Sequence, residues 1–185
     1  MTDFDTWLTF AVGSDETGPG GEEGGWDSDD PSPENPTWRG IEYFEFCDWM
    51  GVPHGRLLFA AFRELCTRTV IGKITESNYW TPAQTELLPT GANIIYVDHC
   101  FNAGQGSAVR CLQSALGVEV GGIFGPVTRL ALRGVNPITL IASLHDAIEA
   151  DYRTKGSFPK YGTGWLGRND RGAALAMKLA TNKGP

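Results

Sequence analysis

Glu23-Gly24-Gly25-Trp26 and, after ten intervening residues, Thr37-Trp38-Arg39-Gly40-Ile41 bring together an acid, yielding backbone and a large aromatic ring. That combination suits cleavage of a glycosidic bond, in which a carboxylic acid protonates the leaving oxygen while other groups stabilise an oxocarbenium-like transition state. A glutamate serves as the donor because partial burial raises a carboxyl's pKa towards the working pH. Gly24 and Gly25 let a substrate approach the main chain, and the indole of Trp26 offers a flat face to a sugar ring. The opposite face of the sugar needs a group that stabilises positive charge or holds a water. Asp29, Asp30, Glu34 and the hydroxyl of Thr37 are the candidates.

These residues must be carried by elements that periodicity reveals. Phe4, Trp7, Leu8 and Ala11 fall at i, i+3, i+4 and i+7, the stripe of a short helix over 3–12 that Gly13 and Ser14 stop. From there to Pro36 the chain is Gly, Pro, Ser, Asp and Glu, a loop long enough to be functional. Helical patterns follow at 41–49, 55–66, 67–78, 91–101, 105–116, 126–133, 137–153 and 169–180, and strand-like alternation is scarce. The expected fold is mainly α, with one irregular, acidic, Gly-rich excursion near its start. Residues 1–90 would form an N-terminal catalytic part bearing the Glu23 loop. Residues 91–185 would form a helical C-terminal part of the same compact body.

At 185 residues and 41% hydrophobic the chain can bury a core of its own. No apolar run reaches the eighteen or so residues of a membrane span, and Met1-Thr2-Asp3-Phe4-Asp5 is acidic where a secretory signal would be basic. The expectation is a protein made in the cytoplasm without a signal peptide, not inserted in a membrane. Cys47, Cys66, Cys100 and Cys111 lack the close spacing of metal or redox motifs and read as buried thiols. His54, His99 and His145 show no ligand spacing. Asp27-x-Asp29-Asp30 lacks the glycine and closing glutamate of a calcium loop, so neither metal nor organic cofactor is expected. Residues 1–50 hold thirteen acids and one base, whereas 51–185 hold nine acids and fourteen bases. The seven bases from Arg153 onward, against one acid, favour contact with an anionic polymer such as cell-wall material.

Over roughly residues 20–180 the chain resembles glycoside hydrolase family 108, the lysozyme-like N-acetylmuramidases of bacteria and phages. Glu23, Gly24, Gly25, Trp26, Asp29, Pro33, Thr37, Gly40 and Ile41 fall at that family's spacing. Tyr79-Trp80, Leu88-Pro89, Asp98 and Asn102-Ala103-Gly104 continue the match. Leu112-Gln113, Leu116-Gly117-Val118, Gly122, Phe124-Gly125-Pro126 and Thr128 are similar to the peptidoglycan-binding segment that closes members of the family, and Gly164-Trp165 with Arg168 to its terminal motif. The resemblance implies a lysozyme-like helical fold and hydrolysis of the β-1,4 bond between N-acetylmuramic acid and N-acetylglucosamine, with Glu23 as general acid. It implies peptidoglycan glycan strands as substrate, no nucleic acid, a monomer acting on the wall in the periplasm, and release through a holin or a secretion system, as for a phage endolysin. Asn102 and Trp165 join Gly24, Gly25 and Trp26 as expected substrate contacts, although Asn102 suits equally a helix-ending turn with Asp98.

The chain also departs from that family. A second acid usually stands nine positions after the glutamate, where this chain has Ser32. Glu34-Asn35 replaces a Gly-Gly pair, and Glu42 stands where Thr often follows Gly-Ile. The passage from Val12 to Glu22 looks long, which sets Glu23 on a loop and leaves Glu16 and Glu22 as rivals. A lytic transglycosylase, which needs only one acid, and a wall-binding protein without catalysis are the alternative readings.

Overall fold

The computed structural model describes residues 2–27 and 33–182. The chain divides into two compact units, one made of Met1–Phe4 with Tyr79–Pro185 and the other of Asp5–Asn78.

The first helix, α1 (Asp3–Val12), lies in the unit Asp5–Asn78 from Asp5 onward and buries Trp7, Leu8, Ala11 and Val12; the first three are on the stripe that the spacing predicts, and its fourth member, Phe4, is half-buried. A helix end leaves its last four carbonyls without intrahelical donors. Here each finds one. Thr9 O accepts from Gly13 N at 2.9 Å, Phe10 O from Glu22 N at 3.0 Å and Ala11 O from Glu23 N at 2.9 Å, while Val12 O takes the Arg39 guanidinium at 2.6 Å. The Gly-rich passage thus folds back over the end of α1. Gly21 makes this possible: its φ is +65°, and a Cβ there would lie 2.5 Å from Ala11 O and from Gly13 N.

The same passage then forms a small antiparallel sheet of β1 (Trp26–Asp27), β2 (Thr37–Trp38) and β3 (Ile41–Glu42), in that order. Arg39 and Gly40, with φ of 52° and 81°, join β2 to β3 as a two-residue turn with both central residues left-handed, the arrangement whose twist suits a hairpin. Three helices complete the unit: α2 (Tyr43–Met50), α3 (Phe59–Leu65) and α4 (Arg68–Thr75). Phe46 and Phe62 pack at 5.1 Å, and Tyr43, buried, bonds the 51–58 loop by donating to Leu57 O and accepting from Gly55 N. Gly72 lets α4 approach α1, since a Cβ would stand 3.1 Å from the Leu8 side chain.

The other unit is helical. A π-helical turn, Glu76–Trp80, and a 3-10 turn, Thr85–Leu87, lead into α5 (Ala92–Ala103), whose residues 92–100 are all buried. Around it pack α6 (Gln105–Ala115), α8 (Pro137–Thr154) and α9 (Phe158–Asn182), with the short α7 (Pro126–Ala131) between them in sequence. A helix buried on every side must be apolar wherever it lacks a polar partner; Ile94, Ile95, Tyr96 and Val97 meet the first condition, and Asn93, Asp98 and His99 are buried with partners. Gly91, at φ +89°, brackets its start: a Cβ would fall 2.3 Å from Ala176 O on α9. Asp98 accepts two bonds from Arg168 of α9, at 2.8 and 2.7 Å. Asp151 on α8 gathers His99 of α5 at 3.1 Å, Ser107 of α6 at 2.9 Å and Lys155 at 3.0 Å.

The mainly helical expectation holds. Two details differ. The acidic loop is partly a sheet, and α9 begins at Phe158 where the pattern placed a helix only from 169. The four cysteines are free and buried. Burial pushes the thiols of Cys66, Cys100 and Cys111 up to about 12, so they stay protonated and unreactive. Among the described residues no helix is long and apolar enough to cross a membrane.

Candidate active site

Glu23 occupies a turn on the returning loop and is half-buried. It lies on a loop, as its spacing from α1 predicts, yet its backbone N–H is bound to that helix's last turn. Gly24, at φ +62° with open space around it, and Gly25, whose Cβ would meet Pro19 at 3.2 Å, carry the chain from Glu23 straight into β1. Gly24 serves the fold here by supplying the left-handed residue that turns the chain, and Gly25 by leaving room for Pro19.

The hairpin is fastened to the same helix end. Arg39 is fully buried, and its guanidinium donates to three main-chain carbonyls, Val12 at 2.6 Å, Asp15 at 2.8 Å and Glu16 at 3.2 Å. Its own N–H reaches Gly25 O at 3.2 Å. Burial lowers its pKa, and the charges of Asp15 and Glu16 act the other way. Glu23 and the β2–β3 turn therefore hang from adjacent carbonyls, Ala11 and Val12, of one helix.

Of the rival acids, Glu16 is accounted for. Its carboxylate accepts from Thr69 N at 3.1 Å in the first turn of α4. That backbone bond holds it below the usual glutamate range, which suits a helix cap and not a proton donor. Asp15 likewise accepts from Thr17 N and Gly18 N and is lowered by those bonds. Glu22 is half-buried, its N–H on Phe10 O.

On the sheet, Trp26 stands opposite Trp38, and Trp38 opposite Ile41. This row faces inward: Trp38 and Ile41 are buried, and Trp26 packs against Phe59 at 5.8 Å and Phe62 at 6.4 Å of α3. The guanidinium of Arg63 lies 5.6 Å from the Trp26 ring and 5.1 Å from Trp38, so part of the indole surface proposed for a sugar is occupied by a cation. The alternate row is Asp27, Thr37 and Glu42, each opposite the next. Asp27 and Glu42 are exposed and Thr37 partly so. Asn35 ties this row to α2, donating from Nδ2 to Glu42 Oε2 at 2.8 Å while its Oδ1 accepts from Phe44 N at 2.7 Å.

Two concavities adjoin these elements. A groove of about 500 Å³ is lined by Thr17, Pro19, Trp38, Ala60, Arg63 and Glu64. A more apolar hollow of about 440 Å³ is lined by Glu34, Tyr43, Phe44, His54, Gly55 and Leu57 to Phe59, with the Phe44 and His54 rings stacked at 4.3 Å. Clefts of this size with a few polar groups are where small ligands and sugar units bind.

Asp29, Asp30 and Ser32 lie outside the described residues. Thr37 belongs to the open row of the sheet and Glu34 to the rim of the apolar hollow. Asn102 and Trp165 belong to the other unit. Asn102 donates to the Asp98 carbonyl at 2.7 Å, the helix-end bond anticipated as its structural role. Trp165 stacks on Tyr152 at 5.3 Å. In the segment from Leu112 to Thr128, Gln113 knits the turn by accepting from Gly122 N and donating to Ile123 O and Thr128 Oγ1, beside a hollow of about 210 Å³. Sequence reasoning passed over Glu42 and Asn35 as members of one constellation with Thr37. The signal was the Arg39-Gly40 pair: a two-residue turn there fixes Thr37 opposite Glu42.

A family model described as Glycosyl hydrolase 108 matches residues 20–104. Among solved structures the chain is similar to one entitled "Structure of Brucella abortus SagA", at 29% identity and a TM-score of 0.72, over 86% of this chain and 89% of that one. No curated protein matches.

Proposed function

We propose, residues 20–104 being a glycosyl hydrolase 108 domain, that this glycoside hydrolase is an N-acetylmuramidase cutting the β-1,4 bond between N-acetylmuramic acid and N-acetylglucosamine, with Glu23 as general acid. Peptidoglycan is the substrate such a domain implies, and the cell wall its place of action. The observation that carries the reading is the double anchorage of Glu23 and the hairpin to the end of α1. A proton donor must be held to a fraction of an ångström relative to its substrate, and a loop residue gains that stiffness when its main chain completes a helix. Arg63, beside Trp38 in the groove of about 500 Å³, supplies a cation for the lactyl and peptide carboxylates that distinguish peptidoglycan from neutral glycans. The turn at Gln113 to Thr128 and its small hollow are the wall-contacting element of the second unit. Release of the protein by a holin, as for a phage endolysin, or by a secretion system completes the reading.

Ser32, at the position of the second acid, favours one rival, the lytic transglycosylase. Clearing of permeabilised Gram-negative cells by wild type and Glu23→Gln, with mass spectrometry of digested sacculi, decides between them. Lysis by the wild type alone, releasing reducing N-acetylmuramic acid ends, is expected. Products ending in 1,6-anhydro sugars would establish the transglycosylase, and equal lysis by both proteins would remove Glu23 from its role. No lysis by either between pH 4 and 8 would favour a wall-binding protein.

A further inference from the structure

We propose that Glu42 is the second carboxylate of the reaction, the general base that activates water beside Thr37, and that Asn35 is the residue positioning it; this rests on the muramidase reading above. Hydrolysis with a single acid leaves the attacking water unassisted, and Ser32 cannot take a proton at neutral pH. The sheet provides a carboxylate elsewhere. Thr37 and Glu42 are direct cross-strand partners, so their Cβ atoms stand about 4.5–5.5 Å apart on one face, close enough for one water to touch the hydroxyl and the carboxylate together. The buried row of Trp38 and Ile41 turns the face bearing Thr37 and Glu42 outward, where a glycan strand can reach it.

Register alone would leave a glutamate free to swing. Asn35 removes that freedom, because its amide spans from the second residue of α2, through Phe44 N, to Glu42 Oε2. One carboxylate oxygen is thereby held and the other left for water. The turn that sets the register is held as firmly: Arg39 carries a positive φ and is fixed by three carbonyls, of which Val12 neighbours the Ala11 carbonyl that holds Glu23. Acid and base are thus referred to one helix end. In the step, the water oxygen bonds to the anomeric carbon as its bond to the glycosidic oxygen breaks. The proton of Glu23 passes to the leaving oxygen and one water proton to Glu42. The sugar leaves with its anomeric configuration inverted, from β to α.

The test uses the full chain on purified sacculi and compares wild type with Glu42→Gln, Glu42→Asp, Asn35→Ala, Asp27→Asn and Glu23→Gln. Proton NMR reads the first anomer released, and thermal melting is followed in parallel. Wild type should release the α anomer first. Glu42→Gln should lower kcat by about 10²- to 10⁴-fold, with KM little changed, melting retained and the acidic limb of the pH profile of kcat/KM abolished. Glu42→Asp should keep that limb at reduced kcat, and Asn35→Ala should displace it. Asp27→Asn, the acid on the far side of Thr37, should stay within a few-fold of wild type. Wild-type kcat in Glu42→Gln, a β anomer released first, or a loss confined to Asp27→Asn would each overturn the assignment of Glu42 while leaving Glu23 as the acid. Equal activity in Glu23→Gln and wild type would instead overturn the muramidase reading and the base with it.

Discussion

Arg39 carries a charge into a place closed to water and spends all its visible bonds on main-chain carbonyls. Without it, Val12 O would be a buried acceptor lacking this donor, a loss that costs about 1–3 kcal/mol, and the half-buried bond to Asp15 O would go with it. Arg39→Met is therefore expected to destabilise by about 3 kcal/mol or more and to abolish lysis, as chemical denaturation and a clearing assay would show. Arg39→Lys should recover little, since an ammonium cannot span three carbonyls as the planar guanidinium does. In the sequence Arg39 is one unremarked letter between Trp38 and Gly40, because nothing local announces acceptors 23 to 27 positions upstream. Glu16 shows the converse. Its acidity is legible, but its duty depends on Thr69, 53 positions away. Glu16→Gln should keep nearly all lytic activity and lower Tm slightly, whereas Glu23→Gln should do the opposite; a Glu16→Gln enzyme without activity would restore Glu16 as a rival acid.

At the scale of elements, what repeats locally can be read and what depends on distant pairing cannot. The stripe over 3–12 and the pattern over 137–153 match α1 and α8 nearly to the residue. The two-residue strands carry no periodicity of their own and exist only through one another. The first turns of α9 escaped the helical pattern because Gly162, Gly164 and Gly167 have low helix propensity; Gly162 is there because the Phe158 ring occupies the space of a Cβ, 2.6 Å away. The returning loop offers a matched pair of substitutions. Gly21 and Gly24 have nearly the same φ, +65° and +62°, but only Gly21 is crowded by backbone. Gly24→Ala should cost only about 1 kcal/mol, the strain of a left-handed alanine. Gly21→Ala adds overlap with Ala11 O and Gly13 N, which must displace the loop from α1; a cost above about 3 kcal/mol and a large fall in kcat are expected. Equal urea midpoints for the two variants would show that the loop is not seated on the helix end.

Charge is the property of the whole molecule most plainly written in its sequence, with a net −7, but its effect on stability is decided by a few paired groups. Asp151 is held well below the usual aspartate range, first by His99 and then by Lys155 and Ser107 against the pull of burial. A depressed carboxylate contributes stability in full above its ordinary value near 3.8 and loses it as pH falls through the folded value. His145 moves the other way. Burial lowers it, yet its bonds to Asp170 on α9 and to Asp146 outweigh burial and raise it above 6.5. Its contribution is full below 6.5 and disappears as pH rises through the raised value. Both terms are complete together only between the two, so Tm followed by circular dichroism should be highest at mildly acidic pH and decline towards pH 8. His145→Gln should flatten that decline while leaving the acid side alone, and Asp151→Asn should lower Tm at neutral pH and weaken its dependence below pH 4. Because Asp170 and Asp146 are largely exposed, 1 M salt should shrink the His145 effect, its screening length having fallen to about 3 Å, and spare the better-buried Asp151. A Tm that climbs from pH 6 to 8 would contradict the sign assigned to His145.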